Sequence, residues 1–252
     1  MIRTFKSDSA RAPQRAGLTV TYASMTAILA LLSTGCQATK PTAAPAAFTQ
    51  AQQAATSPTA ALARLKEGNA RYVEGRPLGH DWAKARAATA GGQYPYAIIL
   101  SCVDSRTASE IIFDQGFGEV FNARVAGNVL DDDLLGSMEF ACKLAGAGLI
   151  AVVGHTQCGA IKGACAGAQL GHLTGLLEKI RPAIQAATGS QPANLPANAA
   201  LLDEIAKQNV RLVLEQIRVR SAVLSELIQN GQVGLVGGIY DLKSGKVSFF
   251  EN

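Results

Sequence analysis

Charge of one sign is what this sequence has little of. Across 252 residues, 23 Lys and Arg meet 19 Asp and Glu, a formal net charge of +4. Most of that excess precedes residue 36, where Arg3, Lys6, Arg11 and Arg15 face only Asp8. The rest is close to neutral, which removes the electrostatic footprint a nucleic-acid partner requires. Aromatic residues are scarce as well, at 6%. Ala and Gly abound instead, which suits close packing of helices on a sheet. The apolar run 18–32 falls short of the roughly 20 residues that a spanning helix needs, and it is rich in Ala, Ser and Thr. No internal repeat is evident. Cysteines number five, an odd count that cannot all pair. Histidines number three. What is present in quantity is apolar surface, 48% of residues, enough for the core of one α/β domain.

The N-terminus reads as a targeting segment. A basic stretch, 1–15, precedes the apolar run 18–32, the n-region and h-region order of a bacterial secretory signal. Leu32-Ser33-Thr34-Gly35-Cys36 follows. Gly before Cys resembles a lipoprotein processing site, although Ser33 stands where that site usually has Leu. Residues 1–36 are therefore expected to direct export, to the periplasm or to a membrane anchored through a lipid on Cys36. Ordinary signal cleavage near Ala38 is the alternative. Residues 37–57, rich in Ala, Thr, Gln and Pro, read as a flexible linker. The folded body is expected over 58–252.

Ser57 can cap a helix whose first position is Pro58, and Leu62, Leu65 and Tyr72 recur at helical spacing. A short helix is expected over 81–89. Unbroken apolar runs at 96–101 and 148–153 suggest strands covered on both faces, as in a parallel sheet. Another strand is expected at 120–124. Helical patterns occupy 133–145, 158–166 and roughly 200–229, and 187–199 reads as a loop. A last strand, 234–241, turns through Ser244-Gly245 into a partner at 247–249. This alternation predicts an α/β fold. Its sheet is mostly parallel and flanked by helices, with an N-terminal helical arm and a C-terminal hairpin strand. Ligands in such folds bind beyond the carboxyl ends of the strands.

Those ends carry the chemistry. One reads Ser101-Cys102-Val103-Asp104-Ser105-Arg106, the other Gly154-His155-Thr156-Gln157-Cys158-Gly159. Neighbouring parallel strands would bring Cys102, His155 and Cys158 together. Two thiolates and one imidazole suit zinc, and three protein ligands leave a fourth position for water, the mark of a catalytic site. Zinc lowers the pKa of bound water to about 7, so a hydroxide nucleophile is available near neutrality. Asp104 and Arg106 sit beside the first ligand, and an Arg keeps a neighbouring carboxylate ionised and oriented. Each feature alone is commonly structural; their conjunction at two strand ends is not. Cys142 and Cys165, among Ala, Leu and Gly, read as small buried hydrophobes, with a disulfide between them as the other option. His80 and His172 read as surface residues.

Cys-x-Asp-x-Arg followed some fifty residues later by His-x-x-Cys-Gly closely resembles the β-class carbonic anhydrases. The resemblance extends through Ala63 to Tyr72, through Arg124-Val125-Ala126-Gly127-Asn128, and through Gly238-Ile239-Tyr240-Asp241. It implies reversible hydration of carbon dioxide to bicarbonate and a proton, by hydroxide on zinc. It implies that Cys102, His155 and Cys158 are the zinc ligands and that Asp104 and Arg106 are the catalytic dyad. Asp104 would join the metal only in a closed form. It assigns Gln93, Phe121, Ala126 and Gly159 to the substrate pocket, with Phe121 and Ala126 lining it across a dimer interface. A homodimer or higher homo-oligomer is implied, its N-terminal helices wrapping the partner. Some members carry an inhibitory bicarbonate pocket of Trp, Arg and Tyr. Here Arg124 and Tyr240 are present, but Ile99 replaces the Trp. That replacement points to the constitutively open type, with Asp104 on Arg106. Two other readings share these motifs: a related zinc hydrolase acting on carbonyl sulfide or carbon disulfide, and a non-catalytic zinc- or anion-binding lipoprotein.

Overall fold

The computed structural model describes residues 42–190, 195–196 and 198–250. The expected export signal and Cys36 lie outside them, as do residues 37–41 of the expected linker. No helix among the described residues is long and apolar enough to cross a membrane.

Ten helices and five strands are described, in chain order. They are α1 (Gln50–Ala54), α2 (Pro58–Val73), α3 (Trp82–Thr89), β1 (Ala97–Ser101), α4 (Ser109–Ile112), β2 (Val120–Arg124), α5 (Asp132–Glu139), β3 (Leu149–His155), α6 (Gly159–Cys165), α7 (Gly171–Glu178), α8 (Arg181–Thr188), α9 (Ala199–Arg220), α10 (Ala222–Gln229), β4 (Gly234–Tyr240) and β5 (Val247–Phe250). The strands form one sheet in the order β2-β1-β3-β4-β5. β1 pairs in parallel with both β2 and β3, and β3 with β4. β5 alone runs antiparallel, on β4. The sheet is thus mostly parallel, as the unbroken apolar runs imply.

Alternate residues of the central strands serve two cores. Ile98, Leu100, Ile150 and Val152 face one side, where Val210, Val213, Leu214 and Ile217 of α9 cover them. Ala97, Ile99, Leu149, Ala151 and Val153 face the other, against Ala61 and Leu65 of α2. This is the period-two geometry of a strand buried on both faces. α2 lies so close that a Cβ on Gly68 would stand 1.7 Å from the Phe113 carbonyl oxygen. Asn69, one residue on, donates to the carbonyls of Ile112 and Gly245 and accepts from the Val247 amide. One buried amide therefore ties α2 to α4 and to the terminal hairpin.

The structure corrects several sequence-based expectations. Residues 42–56, read as flexible linker, are docked on the body. Ala43 pairs with Gly79, and Phe48 is buried against Tyr96. Thr49 and Gln52 form a capping box on α1, and Gln53 donates to the carbonyls of Pro95 and Ala145. A single buried aromatic and paired polar side chains outweigh a linker-like composition. The expected helix at 133–145 is α5 followed by a π-helical turn, Phe140–Leu144, closed by Ala145 N–H on the Phe140 carbonyl. The expected long helix at 200–229 is two. Ser221 ends α9 and caps α10, accepting from Leu224 N–H and donating to Glu139. α7 and α8 carry no clear signal in the sequence, because Gly171, Gly175 and Pro182 obscure it. His80 is not a free surface residue. Its Nε2 lies 3.1 Å from the buried Asp114 carboxylate and its ring stacks on Trp82. Cys142 and Cys165 are buried and free.

Candidate metal centre

β1 and β3 are neighbours, so their carboxyl ends meet. Cys102 follows β1, and His155 is the last residue of β3. Cys158 then stands at the start of α6. The turn between them is tight, with Gln157 in the left-handed region at φ 55°. The Gln157 N–H donates to Asp203 of α9 at 3.1 Å. The two sulfurs and the imidazole nitrogen converge, with all three ligand atoms within 4.8 Å of one another and all three residues buried.

The imidazole is oriented for a cation. His155 Nδ1 lies 2.9 Å from the Thr156 carbonyl oxygen, which can only accept. Nδ1 therefore carries the hydrogen and the lone pair falls on Nε2. That Nε2 is buried and has no hydrogen-bond partner. An unpartnered buried acceptor is costly unless something electropositive meets it. The sulfurs make the same statement. Cys102 is drawn down by its contact with Cys158 and by the Asp104 and Gly127 amides. Cys158 is pushed up by the same contact and by burial. Two sulfurs and a bare imidazole lone pair in a buried pocket are a donor set that fits a thiophilic divalent ion.

Asp104 is held beside this set but turned onto Arg106. Its Oδ1 accepts from Arg106 N–H at 3.0 Å and Nε at 2.9 Å, and its Oδ2 accepts from Nη2 at 2.8 Å. The guanidinium holds the Asp104 carboxyl well below the usual carboxylate range, so it is ionised at neutral pH. Oδ2 stands 4.0 Å from His155 Nε2.

Three supporting residues, Thr107, Asp203 and Asn209, carry no motif in the sequence, and a fourth, Arg124, entered it only as part of the family motif and the inhibitory pocket. Arg124 of β2 donates from Nε to the Cys102 carbonyl at 2.9 Å and from Nη2 to the Asp104 carbonyl at 2.6 Å. Thr107 donates to the same two carbonyls. Together they lock the loop that carries the first ligand and the carboxylate. Asp203 and Asn209, both on α9, hold the other turns. The available signal was a polar residue, Asn209, within the apolar stripe of α9.

The remaining pocket residues disperse. Ala126 opens a 3-10 turn, Ala126–Asn128, whose Gly127 N–H lies 3.3 Å from Cys102 Sγ. Gly159 is exposed at the first position of α6. Phe121 lies on the edge strand β2 and packs edge-on against the half-exposed Phe140, in a groove of about 720 Å³. Gln93 is exposed and precedes β1, whereas Cys102 follows it. Five strand residues at ~3.3 Å each separate the two, so Gln93 does not reach the Cys102 site within one chain. The three positions of the expected inhibitory pocket are all engaged. Ile99 is fully buried in the sheet core, Arg124 grips two carbonyls, and the Tyr240 hydroxyl pairs with that of Tyr72.

A family model described as carbonic anhydrase matches residues 97–247, from the first residue of β1 to the first of β5. Carbonic anhydrase 2 of Mycobacterium tuberculosis is 39% identical over 192 residues, covering 76% of this chain and 92% of that protein. A carbonic anhydrase of Mycolicibacterium smegmatis is 36% identical over 193 residues, 76% of this chain and 93% of its own length. Among solved structures, the β-carbonic anhydrase CafA of Aspergillus fumigatus superposes with a TM-score of 0.59 at 26% identity, covering 77% of this chain and 90% of that one. A tetrameric β-carbonic anhydrase from Sordaria macrospora shares the fold at TM-score 0.60 and 22% identity, covering 66% of this chain and 85% of that one.

Proposed function

The chain belongs to the β-class carbonic anhydrases, enzymes that interconvert carbon dioxide and bicarbonate, and from that premise we propose that it works with one zinc ion held by Cys102, His155 and Cys158. The observation that carries the choice of ligands is the unpartnered, buried Nε2 of His155 facing two buried sulfurs. Zinc in such a set lowers the pKa of a coordinated water to about 7 and so supplies a nucleophile near neutral pH.

The protein's own groups do the rest. Asp104, kept ionised by Arg106 and with Oδ2 4.0 Å from His155 Nε2, would accept a hydrogen bond from the attacking oxygen and so aim that oxygen's remaining lone pair at the substrate carbon. Bonded through both carboxylate oxygens to Arg106, Asp104 is held back from joining Cys102, His155 and Cys158 as a further ligand, so a metal held by those three would keep a position for water. The engagement of Ile99, Arg124 and Tyr240 in packing and hydrogen bonds supports the constitutively open reading. Val129, Ile161 and Ile205 pack around the two cysteines and keep bulk water from the sulfurs. Elemental analysis of the purified protein, with turnover measured on carbon dioxide, carbonyl sulfide and carbon disulfide, tests this reading. One zinc per chain and preference for carbon dioxide are expected. Another metal, or preference for a sulfur substrate, would overturn it.

A homo-oligomer completes the picture. β2 is an open edge strand bordered by the exposed Phe140 and the Phe121 groove. A second copy seated there would bury both rings and could supply Gln93 to the first copy's site. The basic-then-apolar order of the first 32 residues supports export, and Gly35-Cys36 supports a lipid tether. Mass spectrometry of the mature N-terminus, and loss of membrane association in Cys36→Ala, would test the tether.

A further inference from the structure

Asn209 is buried, at 3% exposure, on the face of α9 that otherwise presents Leu202, Ile205, Ala206, Val210, Val213 and Leu214. A primary amide there is costly unless its hydrogen bonds are made. Its Nδ2 donates to the Gly127 carbonyl at 2.8 Å, across 82 residues of sequence. Gly127 has φ +68°, and its Cα is wedged where a Cβ would stand 2.9 Å from Ile180 Cδ1 and 3.1 Å from Ala160 Cβ. Its own N–H donates to Cys102 Sγ at 3.3 Å. One residue is thus held at three points: its Cα by packing, its carbonyl by Asn209, its amide by the sulfur.

The second amide on that sulfur is arranged in the same way. Asp104 N–H donates to Cys102 Sγ at 3.4 Å, and the Asp104 carbonyl is gripped by Arg124. Each N–H on the thiolate therefore belongs to a residue whose carbonyl is anchored by a side chain from another element.

We propose that Asn209 is a positioning residue for the metal centre: through Gly127 it fixes an N–H···S hydrogen bond that sets how strongly Cys102 donates to the metal. An amide hydrogen on a thiolate withdraws charge from the sulfur lone pairs and lowers their energy. Removing the anchor frees the Gly127–Asn128 peptide and, through the Gly127 Cα, lets the Ala126–Gly127 peptide that carries the N–H shift, which weakens that bond and raises the energy of the sulfur donor. It also loosens the orientation of the ligand, and outer-shell partners of this kind are worth roughly 10–100-fold in metal affinity. The proposal rests on the metal reading of the site given above.

The test uses the full-length protein loaded with Co(II), whose sulfur-to-metal charge-transfer band reports the sulfur directly. Asn209→Leu keeps the volume and removes the donor. Asn209→Ser is too short to reach the Gly127 carbonyl and serves should the leucine variant fail to fold. Val213→Ala, in the α9 face packed on the sheet, is the control for destabilisation alone. Both Asn209 variants should move the band to lower energy and weaken Co(II) and Zn(II) binding by about tenfold or more in chelator competition. Val213→Ala should lower the melting temperature with band and affinity unmoved. Asn209 variants with wild-type band and affinity would overturn the proposal, as would a Val213→Ala variant that shifts both equally. Wild-type protein that takes up no Co(II) at thiolate ligands would instead overturn the metal reading itself, and this inference with it.

Discussion

Replacing Gly127 with alanine puts a methyl group where the ligand-bearing turn has no room for one. The left-handed φ of +68° costs a non-glycine residue ~1–2 kcal/mol. The new Cβ would stand 2.9 Å from Ile180 Cδ1 and 3.1 Å from Ala160 Cβ. Ile180 is fully buried, so it cannot swing away, and overpacking of this kind costs ~1–3 kcal/mol. The two effects together come to ~2–5 kcal/mol, or a fall in melting temperature of ~4–20 °C at the 2–4 °C per kcal/mol of a domain this size. Relief of the clash by a shift of Gly127 would disturb its N–H contact with Cys102 Sγ. Gly127→Ala should therefore lose metal faster to a chelator as well as melt earlier. Calorimetry and a timed chelation assay measure the two. A variant that melts within a degree of the parent and holds its metal as long would refute the packing argument.

Two more predictions bear on the site and on the core. Arg106→Ala removes the two side-chain bonds that hold Asp104, while leaving the three ligands untouched; metal content should stay at the parent level while turnover falls about 100-fold, the scale of a misplaced catalytic group, and full turnover would sink the account of Asp104. Burial pushes the Cys142 thiol up to about 12, so the folded state favours its protonated form more than the unfolded state does. The stabilisation is fully present below the unfolded pKa of roughly 8.5 and is lost as pH rises toward 12. Denaturant titrations from pH 8 to 11 should thus show a steeper loss of stability in the parent than in Cys142→Ala, and parallel curves would contradict the sign.

Much of this was legible in the sequence because the strongest signals were local. The runs at 96–101 and 148–153 are apolar without alternation, and β1 and β3 are covered on both faces as that pattern requires. The spacing of Cys102, Asp104 and Arg106 put three side chains on one loop, and the structure keeps them together. What the sequence hid depends on long-range partners. Residues 42–56 look like a tether until Phe48 finds Tyr96 and Gln53 finds Pro95 and Ala145. Ser221 breaks a helix whose apolar spacing runs on, because its hydroxyl bonds Glu139 and the Leu224 amide. Asn209 acts on a turn 82 residues away, which no motif spacing reveals, and Arg124, named in the sequence only for its motif, grips carbonyls 20–22 residues before it. Gln93 lies nine residues before a ligand yet at the far end of a strand, a separation that linear distance conceals.

The central claim is a zinc-dependent hydration of carbon dioxide at Cys102, His155 and Cys158. Stopped-flow hydration with a pH indicator, run at pH 7–8.5 on chelator-stripped and zinc-reconstituted full-length protein, tests it most directly. The account predicts background rates from the stripped protein and rapid turnover restored at one zinc per chain, with no restoration in His155→Ala. Reconstituted protein that binds zinc yet hydrates carbon dioxide no faster than buffer would contradict it.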